Sequence, residues 1–167
     1  MAFLLRPDLP PGGRERPEGS GGNELREPLR TNALESGLTR MKRPPKTPYS
    51  IPALEATEYA KENGMFYEFH KACYEALWDD GKDLEQMDVL ESIAKECGLE
   101  WSEMKERLES RYYQDVTTEQ YMQGRRLGFN GIPGFIIGNG AFTGAAPYET
   151  FKMAADRALS EGHTVTP

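Results

Sequence analysis

The sequence holds few of the side chains that most often carry chemistry. There are two cysteines, two histidines and two tryptophans in 167 residues. Cys73 and Cys97 lie too far apart in sequence for a C-x-x-C redox pair, and two cysteines alone make no zinc set. No apolar run approaches the roughly 20 residues of a membrane-spanning helix. The apolar start at Met1–Leu5 is too short for a secretory signal, and no small-residue cleavage site follows it. Cations are also outnumbered, at 20 Lys+Arg against 27 Asp+Glu, for a formal charge of −7. That balance argues against nucleic acid as the main partner, because phosphate binding needs a net basic face. Apolar residues make up only 38% of the chain, so part of it is expected outside any core. These shortages point to an acidic, cytoplasmic, single-domain protein with no membrane partner.

Charge and composition change along the chain. Residues 1–50 carry nine Lys/Arg and six Asp/Glu, with eight prolines and six glycines. Ala2-Phe3-Leu4-Leu5, stopped by Pro7, reads as one short buried strand. The stretch Pro10–Pro28 has almost no large apolar side chain and reads as a loosely held loop, because it cannot bury enough surface to offset its backbone entropy. Arg43 to Pro48 reads as an extended connector.

From Ser50 onward the periodicity is helical. Ser50 as N-cap and Pro52 in the first turn predict a helix to about Glu62, with Leu54 and Tyr59 as its apolar side and Asn63-Gly64 as its stop. Phe66, Phe69, Cys73 and Leu77 fall on one face of a helix ending near Trp78. Leu90, Ile93, Ala94 and Cys97 mark another. Ser102 is read as the cap of a short helix to about Leu108. Thr117 and Gln120 have capping-box spacing for a helix to about Arg126. The last forty residues read differently. Gly131–Gly138 is a strand entered through Pro133, Asn139-Gly140 a hairpin turn and Ala141–Thr143 its partner strand. Pro147 then opens an amphipathic helix carrying Phe151, Ala154, Ala155 and Ala158.

Three segments carry a family resemblance: Phe3-Leu4-Leu5-Arg6-Pro7-Asp8-Leu9-Pro10, the run from Ser50 to about Leu99, and the pair Gly131–Ile137 and Thr143–Glu149. Together they make the chain resemble the thioredoxin-like DsbA family, most closely its FrnE-like, dithiol-disulfide isomerase branch. The resemblance implies an α/β fold, a thioredoxin-like mixed sheet that is N-terminally incomplete, with an inserted α-helical subdomain. Under it, residues 1–10 are a strand of the thioredoxin-like domain and 11–49 loop and linker. Residues 50–116 are the helical insertion, 117–160 the C-terminal part of the thioredoxin-like domain and 161–167 a tail. It also implies a cis Ile132–Pro133 bond, with Gly131, Ile132 and Pro133 forming the substrate groove for an extended peptide or glutathione thiol. From the residues alone, the plain reading of Pro133 is a trans proline at the start of a strand, since only about 5–6% of X–Pro bonds in folded proteins are cis.

The departure from the family is as informative. The family's nucleophile sits in a C-x-x-C at the N-terminus of a helix, where the dipole and nearby donors lower a thiol's pKa. The glutathione-linked relatives, kappa-class transferases and hydroxychromene-carboxylate isomerases, keep a serine there. This sequence has no such segment. It is therefore expected to be truncated relative to the family, to have no catalytic residue of its own and no dithiol exchange, and to use no cofactor. The alternatives are a non-catalytic thioredoxin-like module binding peptide or glutathione, or a truncated relative of those kappa-class transferases and isomerases, and a second copy of the chain is a candidate partner.

The remaining reactive residues have plainer readings. Cys73 and Cys97 both fall on apolar helix faces, where free cysteine behaves as a small hydrophobe. His70 and Cys73 supply two ligands on one helix with no second pair, so no metal site is expected. Asp79, Asp80, Asp83, Glu85 and Asp88 lack the closing glutamate of a calcium loop and read as a solvated turn. Arg125 and Arg126 read as complements to a helix C-terminus. Tyr112, Tyr113, Trp78 and Trp101 read as packing residues.

Overall fold

The computed structural model describes Ala2, Leu4 and residues 6–17 and 22–162. In chain order its elements are β1 (Arg14–Glu15), α1 (Leu29–Glu35), β2 (Lys46–Thr47), α2 (Ile51–Glu62), α3 (Phe66–Trp78) and α4 (Met87–Glu96). They continue with α5 (Trp101–Glu109), α6 (Gln114–Arg126), β3 (Gly134–Ile137), β4 (Gly140–Thr143) and α7 (Tyr148–Ser160). The chain divides into two compact units. One is residues 6–117; the other joins residues 1–5 to residues 118–167.

The larger unit is built around α2. This helix packs on α3 and α5, α3 packs on α4, and α4 on α5. Alanines at 53, 56 and 60 let neighbouring backbones approach, and Tyr59, Phe69, Leu90, Ile93, Met104 and Leu108 fill the space between. Residues 53 and 55–60 of α2 are all buried, so the helix is enclosed on nearly every side. The buried side is drawn by small residues rather than by Leu54, which is half-buried.

An enclosed helix must answer the charge it carries. Glu55 is 1% exposed, and its carboxylate lies 3.2 Å from the Arg111 guanidinium. Burial pushes the Glu55 carboxyl above its ordinary value, and Arg111 opposes the shift. Arg111 reaches it from a left-handed backbone (φ 58°) just after α5. One turn earlier, Arg107 donates to Glu62 at 2.6 Å, to the Tyr113 hydroxyl at 2.7 Å and to Glu103 at 2.5 Å. Tyr113 donates to Glu62 at 2.7 Å, and Tyr59 to Glu103 at 3.0 Å.

Several expected boundaries shift. The cap of α5 is Glu100, whose carboxylate accepts from the Ser102 N–H and hydroxyl, so Ser102 lies inside the helix. Thr117 is likewise interior to α6. It is buried, and its hydroxyl donates to the Tyr113 carbonyl instead of capping. The stretch read as loop and connector contains α1 and the antiparallel β1–β2 pair, Arg14 opposite Thr47 and Glu15 opposite Lys46. Gly13 makes the pairing close, since a Cβ there would run into the Thr47 carbonyl. The acidic turn keeps Asp80 and Asp88 exposed, with Asp88 in the first turn of α4, and it is also ion-paired. Lys46 contacts Asp83 at 2.6 Å, Arg40 contacts Asp80 at 2.8 Å, and Glu85 accepts from the Gly12 N–H at 2.8 Å. Burial alone would raise Asp83, but its hydrogen bonds from Lys46, Glu85 and Gln86 outweigh this and hold it below the ordinary carboxylate range.

The smaller unit contains the β3–β4 hairpin, with Phe135 opposite Phe142 and Ile136 opposite Ala141. One face packs on α7 through Phe135, Phe142 and Phe151, whose ring centroids lie 4.8–5.2 Å apart. Among the described residues the strands form two separate two-stranded sheets. The strand expected at residues 2–5 rests on Phe3 and Leu5, which lie outside the described residues. Ala2 is buried and its N–H donates to the Gln120 side chain.

The Glu55–Arg111 pair yields a signed pH test. Arg111→Gly keeps the left-handed backbone unstrained and removes the cation together with its aliphatic stem. It is expected to cost about 2 kcal/mol at neutral pH, because a buried carboxylate loses its partner. Because the folded-state pKa of Glu55 is raised, its contribution to stability falls as pH climbs from the unfolded carboxylate value toward the folded one. Urea unfolding at mildly acid and neutral pH should therefore show a smaller loss at the acid end. Equal losses at both would exclude this role for the pair.

Candidate functional site

The family resemblance leads one to expect a substrate groove at Gly131-Ile132-Pro133, and the smaller unit builds this segment between α6 and β3. After the last turn of α6 the chain is held by the Phe129 N–H on the Gly124 carbonyl (3.0 Å) and by Arg125 on the Phe129 carbonyl (3.4 Å). Phe129 is buried. The Ile132–Pro133 bond is cis. Beyond it, the Pro133 carbonyl accepts from the Gly144 N–H at 2.7 Å, which ties the entry of β3 to the exit of β4. Ile132 stands 49% exposed. Its backbone N–H and carbonyl make no hydrogen bond with any described residue. Gly131 is half-buried and Pro133 exposed. Such a segment offers one free donor and one free acceptor to an extended ligand, as in strand addition.

Gly134 sets how closely this segment can approach Phe129. A Cβ at Gly134 would lie 2.7 Å from Phe129 Cδ1 and 3.2 Å from its Cγ. The root of an aromatic ring cannot step aside easily, so only glycine fits.

The thiols lie in the other unit, within the helical core. Cys73 is 5% exposed, and burial pushes its thiol up to about 12, the neighbouring Cys97 adding to the shift. Cys97 is half-buried and also raised, by burial first and then by Glu96 and Glu68. Neither sits at a helix N-terminus or beside a cation that would stabilise a thiolate. His70 stacks on Phe66 and meets Tyr74 edge-on. Burial, then Lys61, pushes its imidazole down. Among the described residues no group of three His, Cys, Asp or Glu side chains could hold a metal. His163 lies outside the described residues.

The other singled-out residues are occupied locally. Arg126 pairs with Glu119, and both arginines stand in the last turn of α6. Tyr113 is buried in the α2–α5 network, and Tyr112 lies under the Arg107 guanidinium at 5.1 Å. Trp101 packs against the core. Trp78 instead lines a cleft, together with several cations from residues 16–46. The cations were legible as a basic first third of the sequence; their gathering beside Trp78 was not.

Two measurements test this geometry. Gly134→Ala is expected to destabilise the protein by about 1–3 kcal/mol through overpacking against Phe129, and Phe129→Leu in the same chain should recover part of the loss in thermal unfolding. With a thiol reagent at mildly alkaline pH, Cys97 should label ahead of Cys73, and Cys73 only at the rate of opening of the fold. Rapid labelling of Cys73 in the native protein would contradict its burial.

Comparison with known proteins agrees with this architecture. The model of the DSBA-like thioredoxin domain family matches residues 3–156. A Bacillus subtilis (strain 168) protein, the uncharacterized protein YwbO, is 31% identical over 108 residues, 64% of this chain and 54% of its own length. The chain thus spans about half the length of that curated relative. A crystal structure from Nitrosomonas europaea, provisionally named a protein disulfide isomerase, superposes with a TM-score of 0.55. It is 17% identical and covers 87% of this chain and 80% of its own. No helix among the described residues is long and apolar enough to cross a membrane. On the match across residues 3–156, the chain belongs to the DSBA-like thioredoxin domain family.

Proposed function

We propose that this chain is the substrate-facing part of a FrnE-like thiol–disulfide oxidoreductase, and that it performs no dithiol exchange by itself. Residues 50–116 are then the helical insertion and 117–160 the C-terminal part of the thioredoxin-like domain. The observation that carries the reading is the open backbone at Ile132, half-exposed and without a hydrogen-bond partner among the described residues. An extended peptide or the glutathione backbone pairs there, and the Ile132 side chain sets an apolar wall. Ile132 has no titratable group, so the segment orients a ligand and moves no proton.

The absence of exchange follows from the chain's own thiols. The thiolate is the nucleophile in disulfide chemistry, and a thiol held near 12 is almost wholly protonated at neutral pH. Its burial also denies a substrate disulfide the in-line approach.

An insulin-reduction assay with dithiothreitol as reductant tests the second half. The protein should run at the uncatalysed rate, and Cys73→Ala/Cys97→Ala should be indistinguishable from it. Turnover that depends on either cysteine would overturn the reading. The first half is tested by titrating oxidised glutathione and following backbone amide resonances. Shifts should centre on Gly131, Ile132 and Gly134, and Pro133→Ala should weaken binding about tenfold, equivalent to about 1.4 kcal/mol. Shifts confined to the helical unit would reject the groove.

A further inference from the structure

The β3–β4 hairpin leaves one rim of β3 with its backbone open. The Gly144 N–H donates to the Pro133 carbonyl at 2.7 Å, so Pro133 and Gly144 form a hydrogen-bonded pair. Bonded and non-bonded pairs alternate along an antiparallel ladder. In this register Phe135 with Phe142 is then bonded, while Gly134 opposite Thr143 and Ile136 opposite Ala141 are not. The N–H and C=O groups of Gly134 and Ile136 therefore point away from β4, and on that rim they bond to no described residue. Phe135 packs on α7, so the Ile136 side chain stands on the opposite face, 53% exposed. Gly134 on the same face is also exposed and offers no side chain.

Charge along this strip decides what can cover it. The chain is 28% charged, yet residues 127–148 contain no Asp, Glu, Lys, Arg or His. Exposed edge strands are ordinarily guarded by a charge, a proline or a covering element. β3 itself carries neither charge nor proline, and Gly134 and Ile136 are exposed. A partner recognised by charge has nothing to grip here. Two copies of this chain repel on approach, because each carries −7. At this strip they meet without a like-charge contact.

Self-pairing also satisfies the backbone. An antiparallel pair centred on Phe135 sets Gly134 opposite the partner's Ile136, and Ile136 opposite the partner's Gly134. Each such pair exchanges both of its N–H···O=C bonds. Each Ile136 side chain then lies beside a glycine, where no Cβ opposes it. We propose that β3 is the contact between two copies of this chain, joining their hairpins about a two-fold axis into one continuous antiparallel sheet. The contact is isologous, so it closes at two copies. A strand of 4 residues buries less than a standard interface, so the dimer is weak and forms at micromolar concentrations or above. The pairing does not rest on the ligand reading at Ile132, which lies before the cis bond and outside the paired residues.

Sedimentation velocity across a micromolar-to-millimolar series tests this. The chain should pass reversibly from monomer to dimer and go no further. Added salt should tighten the dimer, because it screens the net repulsion and the contact holds no ion pair to lose. Ile136→Lys, at an exposed side chain, should raise the dissociation constant at least tenfold. A second readout does not depend on that variant. In the unaltered chain, hydrogen exchange at the Gly134 and Ile136 amides should slow as concentration rises, while Ala141 and Thr143 on the opposite rim keep their rates. A monomer at every concentration overturns the proposal. So does assembly beyond two copies, a dimer weakened by salt, or undiminished dimerisation of Ile136→Lys. Protection on the β4 rim, or protection that only an added extended peptide produces, overturns it equally.

Discussion

A helix enclosed by its neighbours loses the solvent that would otherwise hold its charges, and α2 carries two carboxylates and a phenol along the side facing α5 and the turn that follows it. Glu55, Tyr59 and Glu62 fall at helical spacing, so one stripe must be met by one set of partners. Arg107 and Arg111 supply them from the end of α5 and the turn beyond. The packing of the helical unit depends on this match. Without Arg111, closing the alanine face of α2 against α3 and α5 would strand the ionised Glu55 carboxylate in a low-dielectric interior, a cost that burial of a few alanines could not offset. The left-handed backbone of Arg111 and the aromatic stacking around Arg107 are ways of delivering those cations to fixed points.

The same enclosure disposes of the cysteines. The core that shelters α2 also takes Cys73 and Cys97 as apolar side chains on α3 and at the end of α4, and burial raises both thiols. The chain's sulfur is thus packed into the helical core, while the open backbone at Ile132 lies in the other unit and its side chain has no group that titrates.

Much of the helical unit was legible because amphipathic periodicity is a local property. The α3 and α4 stripes place Phe69, Cys73, Leu90 and Ile93 inside, as the spacing predicts. The hairpin was legible from Asn139-Gly140 and its flanking apolar residues. The misreadings share a cause. Ser102 and Thr117 have the right residue type for caps, but a carboxylate at Glu100 and a longer α6 took those positions. The Pro- and Gly-rich segment looked unable to order itself, and by itself it is. It is ordered by partners elsewhere in the chain: Thr47 against Arg14, Asp83 against Lys46, Glu85 against Gly12.

By itself, the sequence determined which stretches are helical, where the hairpin turns, and that the chain's two thiols are no redox pair. Those features rest on spacing over a few residues. Only the tertiary structure decided that α2 is enclosed with its acids paired. It also decided that the acidic turn clasps the N-terminal segment, and that three arginines distant in sequence gather around one tryptophan. Each of these is set by which surfaces meet, and the energy of a charge depends on the surroundings that folding assembles, not on its neighbours along the chain.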